Sequence, residues 1–281
     1  MKIKNLLLLI LPIAILACGT SGFPAPAPSA LPVLTQPLST SPVFTAIPTL
    51  TSVPETNPST GSLLSQTVTI QSTPFSESSN APLYTITAQT PYLQGSDDPR
   101  VGAFNERAKQ IVQNGIDDFK NNVISQASNP PISAGSSFDL QYAIVGQHGD
   151  FWSIKFNIYF YADGAAHPAH GSITLNYDLE KGKEITLDEL FLPNSNYLQA
   201  ISDYAKAQLA TRDIGFDMFS DGAAPLPENY QQWNVSDNGL VITFDEYQVA
   251  PYAAGPQEVV LPFEELGQFL DHQSSIAPFL P

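Results

Sequence analysis

The chain has 281 residues, with 11 Lys and Arg against 27 Asp and Glu, for a formal net charge of −16. That balance argues against nucleic acid and against direct adhesion to anionic lipid, and favours a cationic partner. A single cysteine excludes an intrachain disulfide, so the fold must rest on its core alone.

The first stretch, Met1 to Leu16, carries Lys2 and Lys4 and then an apolar run from Leu6. The run is too short to span a bilayer but suits the apolar region of a secretory signal. Ile15-Leu16-Ala17-Cys18 follows, matching a lipobox. Residues 1–17 therefore read as a lipoprotein signal peptide, with Cys18 the lipidated residue that holds the chain at the outer face of a bacterial membrane. Removing Lys2 and Lys4 leaves 9 basic against 27 acidic residues, a mature charge of −18.

Residues 18–82 are rich in Pro, Ser and Thr, as in Pro24-Ala25-Pro26-Ala27-Pro28, with Glu55 and Glu77 the only charges. Such a composition buries too little apolar surface to offset chain entropy. It reads as a disordered tether, or equally a glycosylated stalk, reaching on the order of 100 Å if half extended.

The globular module is expected over 83–281, with a first half of about 83–150 and a second of 151–281. Leu83–Ala88 reads as a strand, followed by a turn around Pro91 and Gly95. Asp98 then caps a helix with Pro99 in its first turn; Val101, Phe104, Ala108, Ile111, Val112, Ile116, Phe119 and Val123 recur at helical spacing over Pro99–Gln126. Phe138 to Ile144 alternates as a strand. Trp152, Ile154, Phe156, Ile158 and Phe160 do the same, and Ile173 to Leu179 repeats the pattern.

Thr186 and Glu189 form a capping box before a short helix, and Asn194 or Ser195 is expected to cap a helix with Leu198, Ile201, Ala205 and Leu209 inward. Residues 211–230 read as an irregular excursion. Asp237-Asn238-Gly239 turns a hairpin, Glu258–Leu261 is a strand, and Phe263–Leu270 is a closing helix. The fold class is α+β: a mostly antiparallel sheet with two or three amphipathic helices packed on one face.

Two small-residue loops hold the chemistry. One, Ala162 to Gly171, contains Asp163, His167 and His170; the other, Tyr247 to Gln257, contains Tyr252. The His-x-x-His spacing lacks the further ligands a zinc site needs, so neither metal nor cofactor is expected. Tyr161, Asp163, His167, His170, Tyr247 and Tyr252 are the candidate ligand-binding residues, the tyrosines as aromatic anchors. A hydrolase is the alternative: Asp163 and Glu246 are an acidic pair, but no spacing sets two carboxylates at a scissile bond, and no Gly-x-Ser-x-Gly elbow occurs. A purely structural envelope role is the third reading.

Pro91-Tyr92, Asp97-Asp98-Pro99 and the Phe104-Asn105 helix resemble the first half of a paired extracytoplasmic domain of unknown function. Tyr161, Gly164, His167, Pro168, Thr174, Tyr177 and Leu179, Leu187-Asp188-Glu189-Leu190-Phe191, and Val249-Ala250-Pro251-Tyr252-Ala253-Ala254-Gly255-Pro256 resemble its second half. The pair is found in RsiV-type anti-sigma factors, which bind lysozyme, and ahead of the catalytic domain in PdaC-type peptidoglycan deacetylases. The resemblance covers Leu83 to Leu270. It implies a non-catalytic binding module for a cationic protein such as lysozyme, or for cell-wall peptidoglycan. Thr243-Phe244-Asp245-Glu246 echoes a deacetylase motif without its Gly-Pro and His partners, and reads as a strand end.

Overall fold

The computed structural model describes residues 63–212 and 219–280. Cys18, the signal peptide and most of the expected tether lie outside the described residues. The α+β class holds.

Six strands form the larger sheet in chain order: β1 (Thr69–Asn80), β2 (Leu83–Gln94), β3 (Ser136–His148), β4 (Phe151–Tyr161), β5 (Ala169–Asp178) and the short β6 (Lys183–Glu184). All neighbours pair antiparallel except β2 and β3, which run parallel because helix α1 (Pro99–Asn122) carries the chain back between them. Asp98 caps α1 by accepting from the Arg100 amide at 2.9 Å.

The tether boundary is corrected by β1, which pairs with β2 along its whole length inside a stretch read as disordered. Its composition misleads because it is an edge strand exposed on both faces, so no alternation is required of it. Pro74 is tolerated at such an edge. Order comes from the β2 ladder and from Glu77, whose carboxylate accepts from the Tyr84 hydroxyl at 2.6 Å and Lys120 at 2.7 Å. Just ahead, the amides of Leu64 and Ser65 donate to Asp150 at 3.1 and 2.7 Å. Pro91 is likewise no turn: it lies within β2, opposite Ser72.

One face of the sheet packs on α1. Phe104 and Phe119 from the helix meet Phe138, Leu140, Trp152, Ile154, Phe156, Leu175 and Tyr177 in one core. The alternating residues of β4 supply this face, as their period requires.

The second helix does not join that core. Helix α2 (Tyr197–Ala210) packs on a separate three-stranded antiparallel sheet of β7 (Trp233–Ser236), β8 (Gly239–Phe244) and β9 (Gln257–Leu261). Neither Asn194, which has φ +60°, nor Ser195 caps α2; Asn196 holds the cap position without a side-chain bond. The closing helix is only α3 (Phe263–Leu266).

The small sheet lies on the other face of the large one, and a buried polar set joins them. Ser153 on β4 donates to Asn176 on β5 at 2.7 Å and accepts from the Asn234 amide and the Val235 N–H, both at 2.9 Å. Gly146 permits the approach: a Cβ there would sit 2.3 Å from the Val235 carbonyl oxygen. The small sheet covers only the Ser153 end of this face. The outward side chains of Asn157 and Tyr159 stay exposed.

Candidate functional site

The loop after β4 and the turn after β8 come together beside that uncovered end. The imidazole of His167 stacks on Tyr252, with ring centroids 3.8 Å apart and planes at 27°. Tyr247 lies 6.0 Å from Tyr252 at 32°. His167 Nδ1–H donates to the Pro168 carbonyl at 2.8 Å, which leaves Nε2 to accept from the Tyr247 hydroxyl at 3.4 Å.

His170 forms the second half of the cluster. Its Nδ1–H donates to Glu246 Oε1 at 2.6 Å and its backbone N–H donates to Oε2 at 3.1 Å. The Glu246 side chain is 5% exposed, against 40% for the imidazole. Tyr159 meets the His170 ring edge-on at 5.1 Å.

A tight turn brings these groups together. Tyr247 has φ +65°, a left-handed conformation that an aromatic residue adopts only when its surroundings enforce it. Gln248 enforces it: its Nε2 donates to the carbonyls of Gly222 and Asn229, both at 2.9 Å. Tyr247 is left half exposed as the turn's outermost ring.

Burial, then the negative field of Glu246 and the neighbouring phenols of Tyr159 and Tyr247, push the Tyr252 hydroxyl above its ordinary value. Burial also raises the Asp245 carboxyl, opposed by the Ser172 hydroxyl at 2.7 Å and by the Lys155 ammonium. Lys155 itself is ion-paired with Glu258.

Of the six candidate residues, His167, His170, Tyr247 and Tyr252 converge. Asp163 and Tyr161 do not join them. The Asp163 carboxylate accepts from the Ser133 hydroxyl at 2.6 Å and from the amides of Ile132, Ser133 and Gly135, and these bonds hold it below the usual carboxylate range. Tyr161 donates to the Ala165 carbonyl at 3.1 Å and touches Ser133. The pair organises the loop instead of facing a ligand.

Tyr159 and Glu246 are the members that residue patterns alone did not single out in this role. Tyr159 was legible as an outward position of β4. The Glu246–His170 pairing spans 76 residues of sequence and has no local signature. Among the described residues no group of three metal-ligating side chains is found, and no helix is long and apolar enough to cross a membrane.

Residues 188–264 match the model of a family described as "Protein of unknown function (DUF3298)". The chain is 30% identical over 141 residues to the peptidoglycan-N-acetylmuramic acid deacetylase PdaC of Bacillus subtilis, covering 49% of this chain and 30% of that protein. It is 32% identical over 110 residues to an esterase of Mycobacterium tuberculosis, covering 37% and 46%. The immunogenic protein MPT64 of M. tuberculosis is 25% identical over 107 residues, covering 38% and 47%. The chain thus spans less than half the length of these relatives.

Crystal structures of DUF3298 family proteins from Bacteroides fragilis and Pseudomonas aeruginosa superpose with TM-scores of 0.56 and 0.51. Their identities are 16% and 17%, and they cover 75% and 76% of this chain and 97% of each of theirs. At those identities the likeness is one of fold. The matched family segment contains Glu246, Tyr247 and Tyr252; Tyr159, His167 and His170 lie ahead of it.

Proposed function

We propose that this chain, with its DUF3298-type segment, is a lipid-tethered extracytoplasmic module that binds cell-wall glycan through the Tyr159, His167, His170, Glu246, Tyr247 and Tyr252 cluster. The observation that carries the reading is the stacked His167–Tyr252 pair with Tyr247 beside it, next to an almost buried carboxylate. Flat rings receive the apolar C–H face of a sugar, while the phenols and the imidazole reach its hydroxyls. The relative in B. subtilis, named as a peptidoglycan-modifying enzyme, supports an envelope setting. The lipobox ending in Cys18 supports anchoring.

A second reading is favoured by charge. A net −16 suits a cationic protein such as lysozyme, drawn in by long-range attraction. Titrating the soluble chain from Gly19 onward against purified peptidoglycan and against lysozyme separates the two. Saturable glycan binding lost in Tyr252→Ala supports the first reading. Binding to lysozyme alone, weakening with salt, replaces it with the second. Binding to neither overturns both. Anchoring is checked by lipid labelling of the full chain, which Cys18→Ala must abolish.

A further inference from the structure

The large sheet is left uncovered where the small sheet ends, and strand register sets its outward side chains in rows. Thr87 on β2 lies opposite Asp139 on β3, Asp139 opposite Tyr159 on β4, and Tyr159 opposite His170 on β5. A parallel row runs from Gln141 to Asn157 and stops at Ser172, which is buried with its hydroxyl donating to Asp245. The first row crosses four strands, about 14 Å at ~4.8 Å per strand. It ends at Glu246 and the aromatic cluster. Asp245 and Glu246 in the turn after β8, and Glu258 on β9, flank it through their bonds to Ser172, His170 and Lys155.

Two features narrow the occupant. The backbone groups of the floor are engaged in their ladders, so a peptide gains none of the main-chain bonds that an open sheet edge offers. The floor instead presents hydroxyl, amide and carboxylate side chains and the exposed ring of Tyr159, which suit a polyhydroxylated chain. The charge on the shelf is negative. Asp139 accepts from Thr87 and from Gln141 at 2.9 Å, both on Oδ1, and Oδ2 has no partner among the described residues. The shelf's one lysine, Lys155, is held by Glu258 with its side chain only 12% exposed. Asn157 is exposed and has no side-chain partner among the described residues.

We infer that this shelf binds a linear glycan carrying free amino groups, laid along the Thr87–Asp139–Tyr159–His170 row with an ammonium at Asp139. The inference rests on the glycan reading above and names its substrate class: de-N-acetylated amino sugar. Acetylation removes the charge that Asp139 complements and adds bulk at that position.

The test titrates the soluble chain with a β-linked glucosamine oligomer, its N-acetylated counterpart and an oligolysine, using the unsubstituted chain, Asp139→Asn and Asn157→Ala. The expected result is saturable binding of the glucosamine oligomer, at least about tenfold tighter than the acetylated one. Asp139→Asn removes that preference through loss of a charge-assisted bond. Asn157 is exposed and bonded to nothing described, so a lowered affinity in Asn157→Ala with unchanged melting reports the shelf and not the fold. Equal affinity for both glycans, with Asp139→Asn silent, overturns the inference and leaves glycan binding at the aromatic cluster standing. Oligolysine binding as tightly as the glucosamine oligomer overturns the glycan occupant. No binding of either glycan, or of peptidoglycan, removes both readings together.

Discussion

The side-chain amide of Asn105 makes both backbone hydrogen bonds of Leu93: Oδ1 accepts from the Leu93 N–H at 2.7 Å, and Nδ2 donates to the Leu93 carbonyl at 2.9 Å. β2 needs this because β3 pairs with it only from Tyr84 to Ala88 and then follows β4. Beyond Ala88, β2 would present a buried open edge, and α1 closes it with one side chain that mimics a peptide group.

Asn105→Ala therefore leaves two polar groups of a residue that is 2% exposed without partners. The expected cost is about 2–4 kcal/mol, read from the denaturant midpoint. Asn105→Asp keeps the acceptor but sets a carboxylate oxygen against the Leu93 carbonyl, so it is expected to lose at least as much. A change below about 0.5 kcal/mol for Asn105→Ala would show that the amide is dispensable.

Ser153 is the corresponding point between the two sheets. Ser153→Ala removes partners from Asn176, Asn234 and Val235 at once, in a site with no solvent exposure. About 2–4 kcal/mol of stability is expected to go, since a half-satisfied buried network is worse than none. Rapid hydrogen exchange at the Val235 amide would mark the loosened contact.

At Gly239, φ is +138° and an added Cβ would sit 2.0 Å from the Leu261 carbonyl oxygen. Gly239→Ala is expected to misplace β9 against β8 and lower the melting temperature by several degrees. Asn238→Ala, one residue earlier and exposed, serves as the comparison.

The Asp163 carboxylate is held below its unfolded value, about 3.9, first by the Ser133 hydroxyl and then by the amides of Ile132, Ser133 and Gly135. A depressed carboxylate contributes its stability above the unfolded value and loses it as pH falls through the folded one. Amide signals of residues 132–135 should therefore hold steady from pH 7 to about 4 and shift together below that. Asp163→Asn should show the shifted positions already at pH 7. Because Asp163 faces away from the cluster, that variant should keep its ligand affinity.

Tyr252 packs on His167 and Tyr247, outside both cores. Tyr252→Ala is expected to lower glycan affinity at least about tenfold while melting is unchanged. Equal losses of affinity and stability would reassign the ring to the scaffold.

Residue order alone determined the elements whose cause is local. The α1 stripe from Val101 to Phe119, the Asp98 cap, the Thr186–Glu189 capping box and the alternation of β4 and β5 all rest on neighbours within a few residues. The two loops carrying His167, His170, Tyr247 and Tyr252 were legible for the same reason, as small-residue breaks between periodic strands. Tertiary structure decided the rest. β1 takes its order from β2 and α1, so its own composition, Pro74 and serines included, reads as tether. α2 has an apolar stripe that fits either sheet, and it is the tertiary core that sets Ile201, Ala205 and Leu209 among Leu240, Ile242 and Leu261 of the smaller one. The site shows the same division: its rings could be named from the chain, whereas Glu246 reaches His170, and Asp139 reaches the same row, only because strand register sets residues far apart in sequence side by side.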